Sequence, residues 1–336
     1  MFVAPRILPV RPGIVRFRRE RVKLFAYVVR RLFATIVVMA VVAFVVFSLL
    51  YLTPGDPAAI LAGDAATDDD IRRIRAKLGL DDPFLVRFGG WVWALLHGDL
   101  GTSIFTNLPV THLIGQRIEP TVALTLCTLL ISVSVAVPLG VIAAAKVGTW
   151  IDRAVMGFSV IGFSVPVFVL AYILIMTFSI QLDWLPVQGY RPIRDGVWEW
   201  FRHLVLPSTA LGTVYIALIA RITRASMLDV LAQDYIRTAQ AKGLSSNAVL
   251  AGHALKNAAV PILTIIGIGI ALLIGGAIVT ETVFAIPGIG RLTVDAILRR
   301  DYPIIQGVIL IFSGAYVLIN LAVDLSYMFF DPRIRY

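Results

Sequence analysis

Residues 234–257 lie between two hydrophobic runs and combine charged, hydroxyl and amide side chains with apolar ones. The first nine of these residues have the pattern of a short helix, and Gly243 follows them as a typical C-terminal stop. Ser245 or Ser246 can cap a second short helix that ends at His253. Two short helices bent at a glycine would lie across a membrane surface and fit a groove on a partner protein, as amphipathic helices do. An ordinary amphipathic connector is the alternative.

The chain lacks the residue patterns of nucleotide-binding and metal-binding proteins. No Gly-x-x-x-x-Gly-Lys-Ser/Thr motif occurs, so ATP binding through a phosphate-binding loop is not expected. The four histidines are scattered without metal-ligand spacing. Cys127, the only cysteine, cannot form an intrachain disulfide. The hydrophobic runs contain no acid or base to relay protons. If the chain takes part in pumping, we expect the energy to come from another protein.

Membrane-spanning helices must position these residues. Of 336 residues, 58% are hydrophobic and 15% are charged, whereas a soluble domain carries about a quarter charged residues. A spanning helix needs about 20 apolar residues, and lipid excludes open strands. We therefore predict an all-α integral membrane protein with six spans, the fourth being the shortest. The predicted spans are Leu32–Leu52, Thr121–Ala145, Ala154–Leu182, Leu204–Ala220, Ala258–Thr280 and Pro303–Val323.

The distribution of charge orients these spans. With a cytoplasmic N-terminus, the inside segments carry a net charge of +12 and the outside segments −3. Because basic residues favour the cytoplasmic side, both termini are predicted to lie inside. The predicted organisation is a basic N-terminal extension (1–31), a first span (32–52), an extracytoplasmic segment (53–120), a core of five spans (121–323) with its loop at 221–257, and a cytoplasmic C-terminus (324–336). The basic balance therefore reflects topology and does not indicate nucleic-acid binding.

The extracytoplasmic segment is predicted to contain two short helices. Thr67 caps the first, Thr67–Leu78, and Asp82 caps the second, Pro83–Leu96, with proline at its first position. We expect the apolar face of the second helix to pack on the outer ends of the spans or to lie in the membrane interface, where tryptophan is favoured. That face consists of Phe84, Phe88, Trp91, Val92 and Leu95.

Two patterns inside the spans concern packing. The second span carries small residues at four-residue spacing, which lets a neighbouring helix approach closely. Pro138 and Pro166 are expected to bend the second and third spans. The small residues are Ser132, Ala136, Gly140 and Ala144.

The loop contains Thr238-Ala239-Gln240-Ala241-Lys242-Gly243-Leu244, and His253-Ala254-Leu255-Lys256-Asn257 and Pro261 follow it. This pattern resembles the EAA loop of ABC importer permeases, although Thr-Ala-Gln stands where that loop has Glu-Ala-Ala. The longer form that starts at Asp234, Asp-Tyr-Ile-Arg-Thr-Ala-x-Ala-Lys-Gly, is similar to the peptide branch of these permeases.

Further motifs extend the resemblance along the chain from about residue 23. In this order they are specific for the first of the two permeases of dipeptide/oligopeptide importers. They are Tyr27-Val-Val-Arg-Arg-Leu, Pro54-Gly-Asp-Pro, Leu78-Gly-Leu-Asp, Gly98-Asp-Leu-Gly-Thr-Ser, Ala220-Arg-Ile-Thr-Arg-Ala-Ser-Met, Glu281-Thr-Val-Phe-Ala-Ile-Pro-Gly-Ile-Gly-Arg, Arg300-Asp-Tyr-Pro and Asp331-Pro-Arg-Ile-Arg-Tyr.

The resemblance implies a type I ABC importer permease fold in a bacterial inner membrane. It implies a homologous second permease, two ATPase subunits that bind ATP and Mg, and an extracytoplasmic substrate-binding protein; no cofactor is expected in this chain. The loop would couple ATP-driven closure of the ATPases to a switch between inward-open and outward-open states. The implied coupling residues are Asp234, Tyr235, Arg237, Thr238, Ala239, Lys242, Gly243, Leu244, His253 and Asn257.

Residues 281–291 form a second candidate site on the outer side of the fifth span. Proline and glycines break any helix there, and we expect the segment to enter the mouth of the pathway or to contact the binding protein. A plain surface turn is the alternative. The candidate residues are Glu281, Pro287, Gly288, Gly290 and Arg291.

Two other classes of function remain open at this point. A self-sufficient secondary carrier or channel would transport its substrate without other subunits. A membrane scaffold would not transport a substrate with any set of partner proteins. Neither accounts for the loop at 234–257. The substrate is also open among dipeptides, oligopeptides, glutathione, nickel chelates and sugars, because fold-level analogy does not select one. The substrate-binding residues are not assigned.

Overall fold

Long helices dominate the computed structural model, which describes residues 30–31, 33–48, 57–62, 66–77 and 79–330. The predictions for the basic extension before residue 30 and for the ending at 331–336 lie outside these residues. The helices are α1 (Phe33–Ser48), α2 (Pro57–Ala62), α3 (Asp68–Lys77), α4 (Phe84–Leu96), α5 (Val110–Ala145), α6 (Trp150–Ser164), α7 (Val167–Leu174, continued by the π-helical Ile175–Gln181), α8 (Val197–Leu231), α9 (Asp234–Ala241), α10 (Ser246–Ala248, continued by the π-helical Val249–Ala254), α11 (Leu255–Val283), α12 (Ile289–Arg299) and α13 (Tyr302–Phe330).

Four helical stretches in the described residues are long and apolar enough to cross a membrane. They contain all or part of the predicted second, fourth, fifth and sixth spans. The first predicted span is described as the 16-residue α1, and the third is bent, so the count of six stays a prediction. The four stretches are Val110–Ala145, Val197–Leu231, Ser246–Ile270 and Tyr302–Asp324.

The third predicted span, Ala154–Leu182, is not a straight helix. α6 and α7 meet at an angle of 104° on either side of Val165 and Pro166. Proline disfavours the helical conformation of the residue before it, and Val165 is extended with ψ 120°. The predicted bend at Pro166 is confirmed, whereas α5 continues as one helix through Pro138.

α5 packs along α8 in the core. The small residues predicted as a packing stripe on α5 are all buried. The Ser132 hydroxyl donates to the carbonyl oxygen of Gly212 at 3.3 Å. A Cβ on Gly140 would lie 2.6 Å from the Cβ of Thr223 and 2.7 Å from the carbonyl oxygen of Ala220. Small side chains therefore let the two backbones come close.

The two short helices predicted between the first and second spans are present. α3, Asp68–Lys77, lies within the predicted Thr67–Leu78. α4 begins one residue later than predicted because Pro83 occupies the N-cap position, and the N-cap makes no side-chain hydrogen bond. The prediction that Asp82 caps this helix is therefore wrong.

The contacts at the helix ends define two ends of the bundle. The loop end carries residues 146–149 and 232–254, and the far end carries residues 281–301. The side chains of Arg31 and Asp324 form an ion pair, so the start of α1 lies beside the C-terminal part of α13. α1 therefore runs from the loop end towards the far end.

Candidate functional site

α9 and the turn that ends it form the start of the candidate loop. The Gly243 N–H donates to the Gln240 carbonyl at 2.9 Å, and the Leu244 N–H donates to the Ala239 carbonyl at 3.4 Å. These two bonds make a Schellman motif, the usual helix end at a left-handed residue. Gly243 has φ +83°, a conformation that costs other residues about 1–2 kcal/mol. The predicted stop at Gly243 is confirmed.

The second helix of the loop starts as predicted but ends much later. The Ser245 hydroxyl accepts a hydrogen bond from the Ala248 N–H at 3.4 Å, so Ser245 is the cap. The predicted end at His253 is wrong, because the chain continues through the π-helical turn into α11. No glycine or proline lies between His253 and Pro261, and Pro261 lies inside the helix. One continuous helical rod, Ser246–Val283, therefore joins the loop end to the far end.

A hydrophobic cluster holds the loop against the ends of α5 and α8. Ile236 and Ala239 are its contributions from α9. Ala239, one of the predicted coupling residues, is buried in this cluster, and its contact with an ATPase stays a prediction. The buried members are Ala144, Met227, Ile236, Ala239, Val249, Ala254, Ala258 and Ile262.

The other nine predicted coupling residues are exposed. Arg237 and Asp234 form an exposed ion pair with a 3.7 Å separation, which adds little stability. His253 and Asn257 lie one turn apart on the following rod, and the Asn257 amide donates to the His253 carbonyl at 2.7 Å. The loop thus has an anchored apolar side and a polar side open to a partner. The exposed residues are Asp234, Tyr235, Arg237, Thr238, Lys242, Gly243, Leu244, His253 and Asn257.

A largely buried ion pair fixes the base of the loop. Arg224, near the end of α8, donates from Nε to Asp152 Oδ1 at 2.5 Å and from Nη2 to Oδ2 at 2.8 Å. The Gly148 N–H donates to the same carboxylate at 3.0 Å. Asp152 is only 4% exposed. The pair therefore ties the turn between α5 and α6 to the end of α8 that leads into α9.

At the far end, Glu281 is completely buried and caps the start of α12. The Arg291 N–H donates to Glu281 Oε2 at 2.9 Å, and the Thr121 hydroxyl donates to Oε1 at 2.6 Å. Thr121 also accepts from the Ile289 N–H at 2.8 Å. A carboxylate suits a helix N-terminus, where backbone N–H groups lack helical partners. Arg291 therefore contacts Glu281 through its backbone.

The glycines of the same segment make room for this carboxylate. A Cβ on Gly288 would lie 2.2 Å from the Glu281 carboxyl carbon, and one on Gly290 would lie 2.7 Å from Ile278 Cα. Both glycines are buried, whereas Pro287 is exposed and Arg291 is half-buried. Most of the segment is thus packed inside the protein, which excludes a plain surface turn.

A second buried carboxylate joins two motifs that are distant in sequence. Ser103 donates from Oγ to Asp301 Oδ2 at 2.5 Å, and the Ile104 N–H donates to Oδ1 at 3.3 Å. Asp301 and Ser103 are 2% and 1% exposed. This contact fastens the Gly98–Ser103 motif to the turn between α12 and α13.

The connection between α7 and α8 also lies at the far end and forms hydrogen bonds there with α5 and with the segment after α11. The Gly189 N–H donates to the Phe284 carbonyl at 2.8 Å, and the Tyr190 hydroxyl donates to Glu119 Oε1 at 3.1 Å. Burial, together with the nearby carboxylate of Glu119, raises the pKa of Tyr190 to about 12. Tyr190 therefore stays a neutral donor near pH 7.

Sequence reasoning did not identify the partners of these carboxylates. The side chains concerned are single polar residues at the ends of hydrophobic runs, where solvent exposure is the usual expectation. For the Asp152–Arg224 pair, the sequence did offer a signal. Both residues lie in segments that were predicted to be cytoplasmic, and their charges are opposite. Among the described residues, no three His, Cys, Asp or Glu side chains lie together as a metal site. The residues missed are Ser103, Thr121, Asp152, Arg224 and Asp301.

The fold and the two sites define a polytopic membrane transport subunit. Residues 136–336 match the binding-protein-dependent transport system inner membrane component, and residues 24–125 match the N-terminal part of such membrane components. The chain belongs to this family of binding-protein-dependent permeases, the first-permease branch of the dipeptide/oligopeptide ABC importers. It is therefore a multi-pass protein of the inner membrane.

Several curated proteins are similar over nearly their whole length. A probable peptide ABC transporter permease of Sinorhizobium fredii is 58% identical over 92% of this chain and 99% of its own. The dipeptide transport system permease DppB of Alkalihalophilus pseudofirmus is 41% identical over 93% of this chain and 100% of its own. The glutathione transport system permease GsiC of Salmonella choleraesuis is 42% identical over 92% and 99%.

A solved structure supports the fold. The MetNI methionine ABC transporter in an inward-facing conformation aligns with a TM-score of 0.55 and 17% sequence identity. The alignment covers 66% of this chain and 97% of the other. The likeness shows the type I ABC permease fold.

Proposed function

We propose that this chain forms half of the translocation pathway of an ATP-driven importer for di- or oligopeptides. A homologous second permease would form the other half, and two ATPase subunits would bind ATP and Mg. A substrate-binding protein would deliver the peptide on the outer side. Both termini and the 234–257 loop would face the cytoplasm, in agreement with the excess of basic residues on that side.

The observation that carries the proposal is the two-sided character of α9. Its apolar side is fixed in the cluster around Ile236, and its polar side, with Arg237 and Thr238, is exposed. A partner that grips the exposed side would move the cluster and the end of α8 with it. The Asp152–Arg224 pair would carry this movement to α5 and α6.

The helical rod Ser246–Val283 supplies a route to the far end. Its residues number 38, and at about 1.5 Å per residue it is about 57 Å long. Glu281 near its end caps α12, so displacement of the rod would also displace the 281–291 segment. We propose that this segment belongs to the outer gate, with Pro287 and Arg291 as the residues available to the binding protein.

A peptide is the substrate class that the relatives favour. Two of the three similar permeases described above are named peptide or dipeptide permeases. Glutathione is the second candidate, because GsiC is named a glutathione permease at 42% identity. Glutathione is itself a peptide, so the two candidates share a peptide amide and charged ends.

Substitution of Gly243 by valine tests the coupling role. Valine is strained at φ +83°, so the turn after α9 should reorganise while the spans stay intact. We expect the variant to reach the membrane at normal levels and to hydrolyse ATP with strongly reduced uptake, measured in proteoliposomes.

Gly252→Val is the matched control for this substitution. Gly252 lies in the same loop, has open space around its Cα and does not have a left-handed φ. It should retain most of the uptake. Normal uptake by Gly243→Val would contradict the proposed coupling.

A further inference from the structure

The helix α4 presents three different sides. Phe84, Phe88 and Trp91 face α1, where their rings lie 5.2–5.8 Å from those of Phe44 and Phe47. Of the two predicted positions for this face, packing on a span or lying in the membrane interface, these contacts favour packing on the first predicted span. This contact accounts for one side of α4.

A second side of α4 is apolar and exposed. Leu85, Trp93 and Leu96 are 75%, 66% and 76% exposed, and Gly89 lies between them on the same stripe, at i, i+4, i+8 and i+11. Val86 borders the stripe and is 63% exposed. The only polar group on this stripe is the indole N–H of Trp93. Contact with water along its whole length would be unfavourable.

The third side of α4 carries two small residues and one charge, and the guanidinium of Arg87 lies 6.0 Å from the centre of the Phe47 ring. Arg87, Gly90 and Ala94 lie on it, and His97 follows at the C-terminal end, where its ring packs 4.5 Å from that of Trp93. The helix thus changes from apolar to polar around its circumference, about 100° per residue. This division is typical of a helix that lies in the plane of a membrane surface.

α4 packs against the end of α1 that points towards the far end. Phe44 and Phe47 belong to the last turns of the described part of α1, which runs towards the far end. The buried cluster of the core is formed by residues 123–286, and neither α1 nor α4 contributes to it. The outer face of α1 is itself apolar and exposed, with Val41 and Val45 at 58% and 51%. The stripe on α4 therefore continues a peripheral apolar surface.

We propose that α4 is an interfacial helix whose Leu85–Trp93–Leu96 stripe is embedded in the lipid leaflet at the far end. Lipid is the occupant that fits, because the stripe offers almost no hydrogen-bonding groups, whereas protein interfaces average about one hydrogen bond per 100–200 Å². Tryptophan at one edge suits the boundary between headgroups and acyl chains. This assignment does not depend on the coupling role of the 234–257 loop.

Spin-label accessibility tests the proposal on the assembled transporter in lipid nanodiscs. Single cysteines at Gly89, Leu96 and Gly90 would be placed in a Cys127→Ala chain, with the partner subunits free of cysteine. An added Cβ at Gly89 or Gly90 meets nothing within 4 Å, so these adjacent positions form a matched pair. Collision rates with molecular oxygen and with a water-soluble nickel chelate would be measured.

Embedding in lipid predicts high oxygen and low nickel accessibility at Gly89→Cys and Leu96→Cys. Gly90→Cys, on the polar side, should show a several-fold higher ratio of nickel to oxygen accessibility. High nickel accessibility at Gly89→Cys and Leu96→Cys would place the stripe in water and overturn the proposal. Low accessibility to both reagents would place it against the second permease or the binding protein and would also overturn it.

Discussion

Glu281 illustrates how a single carboxylate organises the far end. Its oxygens accept hydrogen bonds from the Thr121 hydroxyl on α5 and from the Arg291 N–H at the start of α12. Hydrogen bonds to a charged group contribute about 1.5–3 kcal/mol each when they are buried. Loss of any one donor would remove a hydrogen bond from a buried carboxyl oxygen of Glu281. Glu281 therefore fixes the position of α12 relative to two long helices.

Gly288→Ala should lower the melting temperature of the purified protein. The new Cβ would lie 2.2 Å from the Glu281 carboxyl carbon, so the cap must shift. Overpacking of this kind costs about 1–3 kcal/mol. Thermal unfolding in detergent, followed by circular dichroism, measures the effect.

Gly275→Ala provides the comparison for that experiment. Gly275 lies on the same rod, and an added Cβ meets nothing within 4 Å. Alanine also favours a helix by about 1 kcal/mol over glycine. Equal melting temperatures for the two variants would contradict the capping role of Glu281.

At the scale of the elements, the sequence predicted those features that depend on local chemistry. The end of α9 at Gly243, the small stripe on α5 and the bend before Pro166 follow from backbone sterics and side-chain size. The continuation of the rod beyond His253 was missed because it depends on packing of Val249 and Ala254 in a tertiary cluster. The Glu281 contacts were missed for the same reason, since they join residues 160 positions apart.

The Asp152–Arg224 pair should behave as a structural link between α6 and α8. Removing either partner by alanine substitution leaves the other charge without its main contact, and we expect a loss of about 1–3 kcal/mol, less than for a fully buried pair. The double variant should lose less than the two single variants together. Thermal unfolding of the four proteins gives this coupling energy.

Glu199 and Arg202 are a suitable exposed control pair. Their side chains are 49% and 32% exposed at 3.3 Å, and such pairs contribute about 0–1 kcal/mol. A coupling energy for Asp152–Arg224 no larger than that of this control would show that the link is not structural.

For the whole molecule, we propose that the two ends of the bundle lie at opposite membrane surfaces. Thr238 lies at the loop end, and Arg194, whose side chain is 83% exposed, lies between α7 and α8. In a Cys127→Ala chain, Arg194→Cys should react with a membrane-impermeant thiol reagent added to spheroplasts. Thr238→Cys should react only after permeabilisation and should crosslink to an ATPase subunit.

Labelling of Thr238→Cys from outside intact spheroplasts would reverse the proposed topology. The same result would also remove the loop from the reach of any cytoplasmic ATPase. If neither cysteine were labelled after permeabilisation, a partner protein would cover both sites. A crosslink between Thr238→Cys and an ATPase subunit would then identify the loop end as the cytoplasmic end.

Reconstitution tests whether this chain transports peptide only as part of an ATP-driven complex. The chain would be incorporated into proteoliposomes alone, with the second permease, and with the second permease, both ATPase subunits and the binding protein. Uptake of a labelled dipeptide should require the complete set and ATP, and it should be lost in the Gly243→Val variant. Uptake by this chain alone, or uptake by the complete set without ATP, would contradict the account.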